Sequence, residues 1–152
     1  MPNITHKISL SCPIKKAFQA LSTLKGLNSW WTTDTTGSPE PAGTLQFRFN
    51  GQGPDMKVLN ANSNRVEWKI VSGPEEWINT HIIFDLKVEG DLVGLYFQHA
   101  GWAEESPFHF HCSMKWATFL LSLKLFLETG QGRPFPNDIP IESMMDSRLE
   151  AK

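Results

Sequence analysis

The stretch Ser106–Trp116 reads S-P-F-H-F-H-C-S-M-K-W, and whether it is strand or helix decides what kind of protein this is. On a strand, His109 and His111 would share a face and could chelate a metal. On a helix, two positions apart is about 200°, and the two rings point to opposite sides. Ser106 followed by Pro107 has the form of an N-cap with proline at the first helical position. From there Phe108, Cys112, Trp116, Phe119, Leu120, Leu123 and Leu127 recur at spacings of three and four. His111, Lys115, Thr118 and Ser122 form a polar stripe at the same spacing. The spacing predicts one continuous helix from Ser106 to Gly130, with His111 solvated and His109 at the margin of the apolar stripe. His99, His109 and Cys112 would be three ligands from two elements, a count that suits a catalytic zinc. No C-x-x-C, H-E-x-x-H or H-x-E pairing accompanies them, and the expectation is no metal and no cofactor.

Upstream the pattern changes from three-four spacing to alternation. Ile4–Leu10 alternates loosely as a half-buried strand, and Ile14, Ala17, Phe18 and Leu21 follow at helical spacing after Pro13. Gly26 and Asn28 read as a break, with Leu27, Trp30 and Trp31 forming an apolar knot before a polar loop, T-T-D-T-T-G-S-P-E-P-A-G, that shows no regular pattern. Strand signals then come in series. Leu45, Phe47 and Phe49 alternate with Gln46 and Arg48; M-K-V-L follows the turn G-Q-G-P; Val66, Trp68 and Ile70 oppose Arg65, Glu67 and Lys69. Ile82, Phe84, Leu86 and Val88 oppose His81, Asp85 and Lys87, and Val93, Leu95, Phe97 and His99 share one face of the last strand. Short alternating strands joined by turns describe an antiparallel meander with one face buried.

Composition narrows the function classes. The chain of 152 residues fits a single domain, expected over residues 1–133, followed by a proline-rich and then charged tail over 134–152 that should run mostly as surface loop. Fourteen Lys and Arg against sixteen Asp and Glu give a net charge of −2 with both signs scattered, so no basic stripe serves nucleic acid. No apolar run has the length of a signal peptide or a membrane span. Two cysteines, Cys12 and Cys112, make no disulfide framework, and a cytoplasmic setting is expected. Six Trp and ten Phe stand against one Tyr. Such apolar aromatics line either a core or a core with a hole in it.

Four local words carry a family resemblance: I-S-L-S-C-P-I-K-K-A-F-Q-A-L-S, G-L-N-S-W-W, L-Y-F-Q-H-A-G-W, and W-A-T-F-L-L-S-L-K-L-F-L-E-T-G-Q-G-R-P-F-P. The most specific are His99, Gly101 and Trp102 after the last strand, and Trp116, Leu120, Leu123, Lys124, Glu128 and Gly130 on the long helix. From about Asn3 to Pro136 the chain resembles the START-like (SRPBCC) proteins, and is similar to bacterial single-domain homologues of the activator of heat-shock-protein-90 ATPase. The resemblance implies an α+β helix-grip fold with two short helices, in which a curved antiparallel sheet wraps the C-terminal helix around a deep apolar cavity. It also implies a small hydrophobic guest, without saying which; relatives bind lipids, polyketides or plant hormones, and a few are cyclases. The family name invites a chaperone reading, but the separate N-terminal domain with which the eukaryotic activator engages the chaperone has no counterpart in these residues.

Three functions follow as expectations. The first is a binding module for a small hydrophobic or amphipathic molecule, with Trp31, Phe47, Phe49, Trp68, Phe84, Phe97, His99, Trp102, Trp116, Leu120 and Leu123 as its lining; the plain alternative is that these side chains simply fill the core. The second is a cyclase-like or hydrolytic enzyme using His99 as acid or base, against the alternative of a hydrogen-bonded core histidine. No Ser-His-Asp order or phosphate loop supports chemistry, and non-enzymatic binding is favoured. The third is a protein-interaction role, chaperone-associated or other, with Trp30, Trp31 and Trp77 near loops as a candidate patch. His99 is the sharpest of these positions. Its ring needs a hydrogen-bond partner, either within the protein or on the guest, and the guest is the expectation.

Overall fold

The computed structural model describes residues 2–142. Strand β1 (Ile4–Leu10) leads into helices α1 (Ile14–Ser22) and α2 (Leu24–Trp30). Six strands follow, β2 (Asp34–Gly37), β3 (Thr44–Arg48), β4 (Asp55–Asn62), β5 (Arg65–Ser72), β6 (His81–Glu89) and β7 (Leu92–Ala100), with a single 3₁₀ turn at Glu75–Trp77 between β5 and β6. Helix α3 (Pro107–Thr129) completes the order. All pairings in the sheet are antiparallel, in the order β1-β7-β6-β5-β4-β3-β2, so the first strand closes onto the last through the register Ile4↔His99 to Leu10↔Val93.

The alternation seen in the sequence becomes the inner face, except that Val88, near the end of β6, is 66% exposed beyond the reach of the core. Leu45, Phe47, Val66, Trp68, Ile70, Ile82, Phe84, Leu86, Val93, Leu95, Phe97 and His99 are all buried, while their neighbours along each strand turn outward. Helix α3 starts where its cap signal stands: Ser106 Oγ accepts from His109 N at 3.3 Å. It ends at Gly130, whose φ of 87° is the left-handed conformation that glycine adopts without steric cost. His6 Nε2 lies 3.0 Å from Ser113 O, and Lys124 Nζ donates to Ser9 O at 2.7 Å, pinning α3 beside β1. This is the helix-grip architecture.

Three local readings change. The polar loop holds an edge strand, β2, because Asp34–Gly37 pairs with Gly37↔Leu45 to Asp34↔Arg48 of β3. Only Thr35 of that strand is buried, so alternation had no apolar partner to show. Gly26 and Asn28 do not break the chain but lie inside α2, which Thr23 caps by accepting from Gly26 N at 3.0 Å. Asn28 Oδ1 in turn accepts from Thr35 N at 3.1 Å and ties α2 to β2. Finally, the polar stripe of α3 is not uniformly solvated. Ser122 is buried, donating to Trp30 O at 2.8 Å and accepting from Arg133 N at 2.7 Å, and His111 is only half-exposed.

Beyond α3 the chain turns back. Arg133 sits at Ser122, Phe135 N donates to Trp31 O at 2.7 Å, and Phe135 forms a bridge with Thr32. Asp138 reaches Lys115 and Glu142 reaches His111, so residues 133–142 retrace α3 from its last turns towards its first. The part of the expected tail from residue 143 onward lies outside the described residues.

Candidate functional site: a cavity beside helix α3

Between α3 and the open end of the sheet lies a cavity of about 610 Å³. One wall is α3, through Phe108, His111, Cys112, Lys115, Trp116 and Phe119. The facing wall comes from turns: Phe49 to Pro54 after β3, and Gly73, Pro74 and Trp77 after β5, with Trp31 at the base. Gly53 is required there, since a Cβ at that position would stand 2.1 Å from Phe47 O. The volume falls in the range of small-molecule sites, roughly 300–1,000 Å³, and the lining is mainly aromatic and proline carbon.

Trp31 is the hub of the base. Its ring centroid lies 4.2 Å from Phe47, 4.8 Å from Trp116 and 5.8 Å from Phe49, and it stacks at 6.1 Å on Trp68. Of the eleven residues expected to line the cavity, Trp31, Phe49 and Trp116 do so. Phe47, Trp68, Phe84, Phe97, His99, Trp102, Leu120 and Leu123 are instead packed behind them, none more than 1% exposed. Trp77, Phe108 and Phe119 take their place on the cavity wall. Phe108 and Phe119 belong to the apolar stripe of α3, whereas Trp77 stands in the turn after β5, where no helical or strand spacing gave a reason to aim it inward.

His99 finds its partners within the protein. Its Nε2 lies 2.8 Å from Thr80 Oγ1, and its Nδ1 accepts from Trp116 Nε1 at 3.1 Å. Thr80 Oγ1 donates to Trp77 O at 2.5 Å, so the hydroxyl acts as acceptor for an Nε2–H. The rings of Trp77 and Trp102 flank it at 4.8 and 4.9 Å. Burial, with a smaller effect from nearby His109, lowers its pKa from 6.5 to about 3, and the imidazole is neutral across the physiological range. With both nitrogens engaged and 0% exposure, this ring fixes Trp116 in place and does not face the cavity. The partner is internal because Thr80, just before β6, and Trp116, on α3, both reach the end of β7.

Cys112 is the one thiol on the wall. Trp77 Nε1 lies 3.3 Å from its Sγ, and burial pushes its pKa up to about 12, which keeps it a protonated, poorly nucleophilic thiol. His109 is buried against Trp102 at 4.8 Å, while His111 faces the cavity rim and Glu142. The helix thus separates the two histidines as the 200° rule requires. Among the described residues, no group of three or more His, Cys, Asp or Glu side chains is placed to hold a metal ion. Nor is any helix among them long and apolar enough to cross a membrane.

A curved antiparallel sheet gripping a long C-terminal helix, with a cavity between them, defines a START-like helix-grip protein. An Aha1 dimer from Colwellia psychrerythraea, solved in solution, matches at 42% sequence identity and a TM-score of 0.80, over 87% of this chain and 100% of that one. The chain belongs to the Aha1 family. CalU16 from Micromonospora echinospora matches at 17% identity and a TM-score of 0.73, over 98% of this chain and 83% of its own. A Staphylococcus saprophyticus protein matches at 14% identity and a TM-score of 0.70, over 88% and 97%. The latter two share the fold. No protein-family model matches the chain, and no curated protein does.

Proposed function

We propose that this protein binds a small hydrophobic or amphipathic molecule in the cavity between α3 and the β3–β4 and β5–β6 turns, acting as a binding module without chemistry of its own. The observation that carries the reading is the roughly 610 Å³ of space walled by Trp31, Phe49, Trp77, Phe108 and Phe119. A filled core would have closed over it. Titration with Nile red, an uncharged environment-sensitive dye, tests this. One saturable site with matching quenching of tryptophan emission is expected; non-saturable or absent binding would sink the reading. A cytoplasmic setting is part of the same proposal, supported by the free thiols of Cys12 and Cys112.

A second reading, a protein-interaction module, is favoured by one observation. Phe110, Met114, Leu121 and Leu125 are 55%, 56%, 49% and 41% exposed along the outer face of α3, away from the cavity. Because the Colwellia relative is a dimer, another copy of the chain is the first partner to test. Sedimentation of the wild type against Met114→Lys should show loss of the larger species in the variant. A monomer in both removes this reading.

A further inference from the structure

The cavity's side-chain lining is apolar apart from Gln52 on the turn wall and a polar rim on α3, where the Lys115 ammonium is the formal charge. Three lining residues are ionisable, His111, Cys112 and Lys115, and no carboxylate is among them. Cys112 is held as the neutral thiol. His111 and Lys115 lie one turn apart on α3, facing the same side. Each is engaged by an acid of the returning C-terminal segment: Lys115 Nζ pairs with Asp138, and His111 Nδ1 lies 3.3 Å from Glu142. Lys115 also sits over the Phe119 ring, 5.0 Å from its centroid. Its side chain is 24% exposed and that of Asp138 10%, so this pair is partly withdrawn from water, where exchange of one anion for another carries weight. An ammonium has three donors, and Asp138 does not exhaust them. The other charges nearby are already committed: Glu76 accepts from Ser106 Oγ at 2.5 Å, and Arg48 is paired with Asp55 at 2.7 Å.

We propose that the guest is an amphipathic anion, a carboxylate on a hydrophobic body. The body lies among Trp31, Phe49, Trp77 and Phe119, and the head is held at Lys115 and His111 in competition with Asp138 and Glu142. This rests on the cavity reading above and adds the class of ligand to it. The alternative role for the two contacts is mechanical: they only pin residues 133–142 to α3. The two roles differ in sign. A latch is broken equally by removing either partner, so Lys115→Met and Asp138→Asn should act alike. A shared cation is lost by the first change and freed by the second, so their effects should be opposite.

The test uses the full chain and two probes, 11-(dansylamino)undecanoic acid and its uncharged methyl ester. The acid should bind about tenfold more tightly than the ester, and its affinity alone should fall with added salt. Lys115→Met should remove most of that advantage, Lys115→Arg should keep it, and Asp138→Asn should tighten the acid several-fold while leaving the ester unchanged. The salt titration needs no variant, so a misfolded substitution leaves the proposal open to refutation. Equal binding of acid and ester, or parallel shifts in Lys115→Met and Asp138→Asn, overturns the anion site and leaves the cavity standing. Binding of neither probe overturns both.

Discussion

The two ends of this interior are built from the same residue types and end up in different physical states. At the β5–β7 end, Phe84 has Trp30, Trp68 and Phe97 at 6.1, 5.2 and 5.3 Å, and every ring has neighbours on all sides. At the β3–β4 end, Phe49 and Phe119 meet each other and Trp31, but the opposite wall is made of turns that stand off from α3. Aromatic content therefore does not separate packed from lined. What separates them is the backing element: a hairpin paired along nine residues of β6 and β7 closes one end, and Gly- and Pro-containing turns frame the other.

Truncation of one ring at each end tells the packed end from the lined one. Phe84→Ala removes a ring packed on every side and should cost about 3–5 kcal/mol, read by urea denaturation. Phe119→Ala, on the cavity wall, should cost roughly 1–3 kcal/mol, because part of its surface meets no partner atoms. Equal losses would mean that the two ends are equally packed. Next in size is His99→Phe, which strands the Trp116 N–H and should cost about 1–3 kcal/mol with Nile red affinity unchanged. A dye affinity that falls with stability intact would return His99 to the site.

Acidification sharpens the contrast further. The folded pKa of His99 is depressed, so its contribution to stability is complete above the unfolded value of 6.5, falls as pH drops below it, and is exhausted near 3. Between pH 6 and pH 5 this amounts to about 1 kcal/mol, and the loss should be missing from His99→Gln when the two stability profiles are subtracted. The smallest effect concerns thiols. Cys12 is part-exposed and should react with a disulfide reagent in the native state. Cys112, with its pKa near 12, should stay protected, and Nile red should slow it further.

How far the sequence could be read depended on whether a residue's role lies in its spacing. The Ser106 cap, the α3 stripe and the alternation from Leu45 to His99 are periodic signals, and each element stands where they placed it. Strand β2 carries its signal in hydrogen bonds to β3 and not in apolar side chains, so D-T-T-G passed for loop. For the cavity, alternation identifies which side chains face inward but not which of them lack a neighbour. That depends on how far the Gln52–Pro54 and Gly73–Pro74 turns stand from α3, a distance with no period. The polar stripe gives His111 as solvated and Lys115 without a partner in view, because Glu142 and Asp138 lie some 20–30 residues on, in a segment with no pattern to bring it back.

The pairing of the first strand with the last has a consequence for synthesis. Among the described residues β1 has no strand partner but β7, so Ile4 meets its neighbour His99 only after the whole meander has been made. At roughly 5–20 residues per second the wait is on the order of 5–20 s. Throughout it, Ile4 and Leu10 have no sheet to cover them. Thr5, Lys7 and Ser9 alternate with Ile4, His6, Ile8 and Leu10 along that strand, and a charged side chain on a waiting edge disfavours pairing with a neighbouring nascent chain. Lys7, which in the finished fold pairs with Glu89 at 3.0 Å, can thus protect the strand on the ribosome before that partner exists.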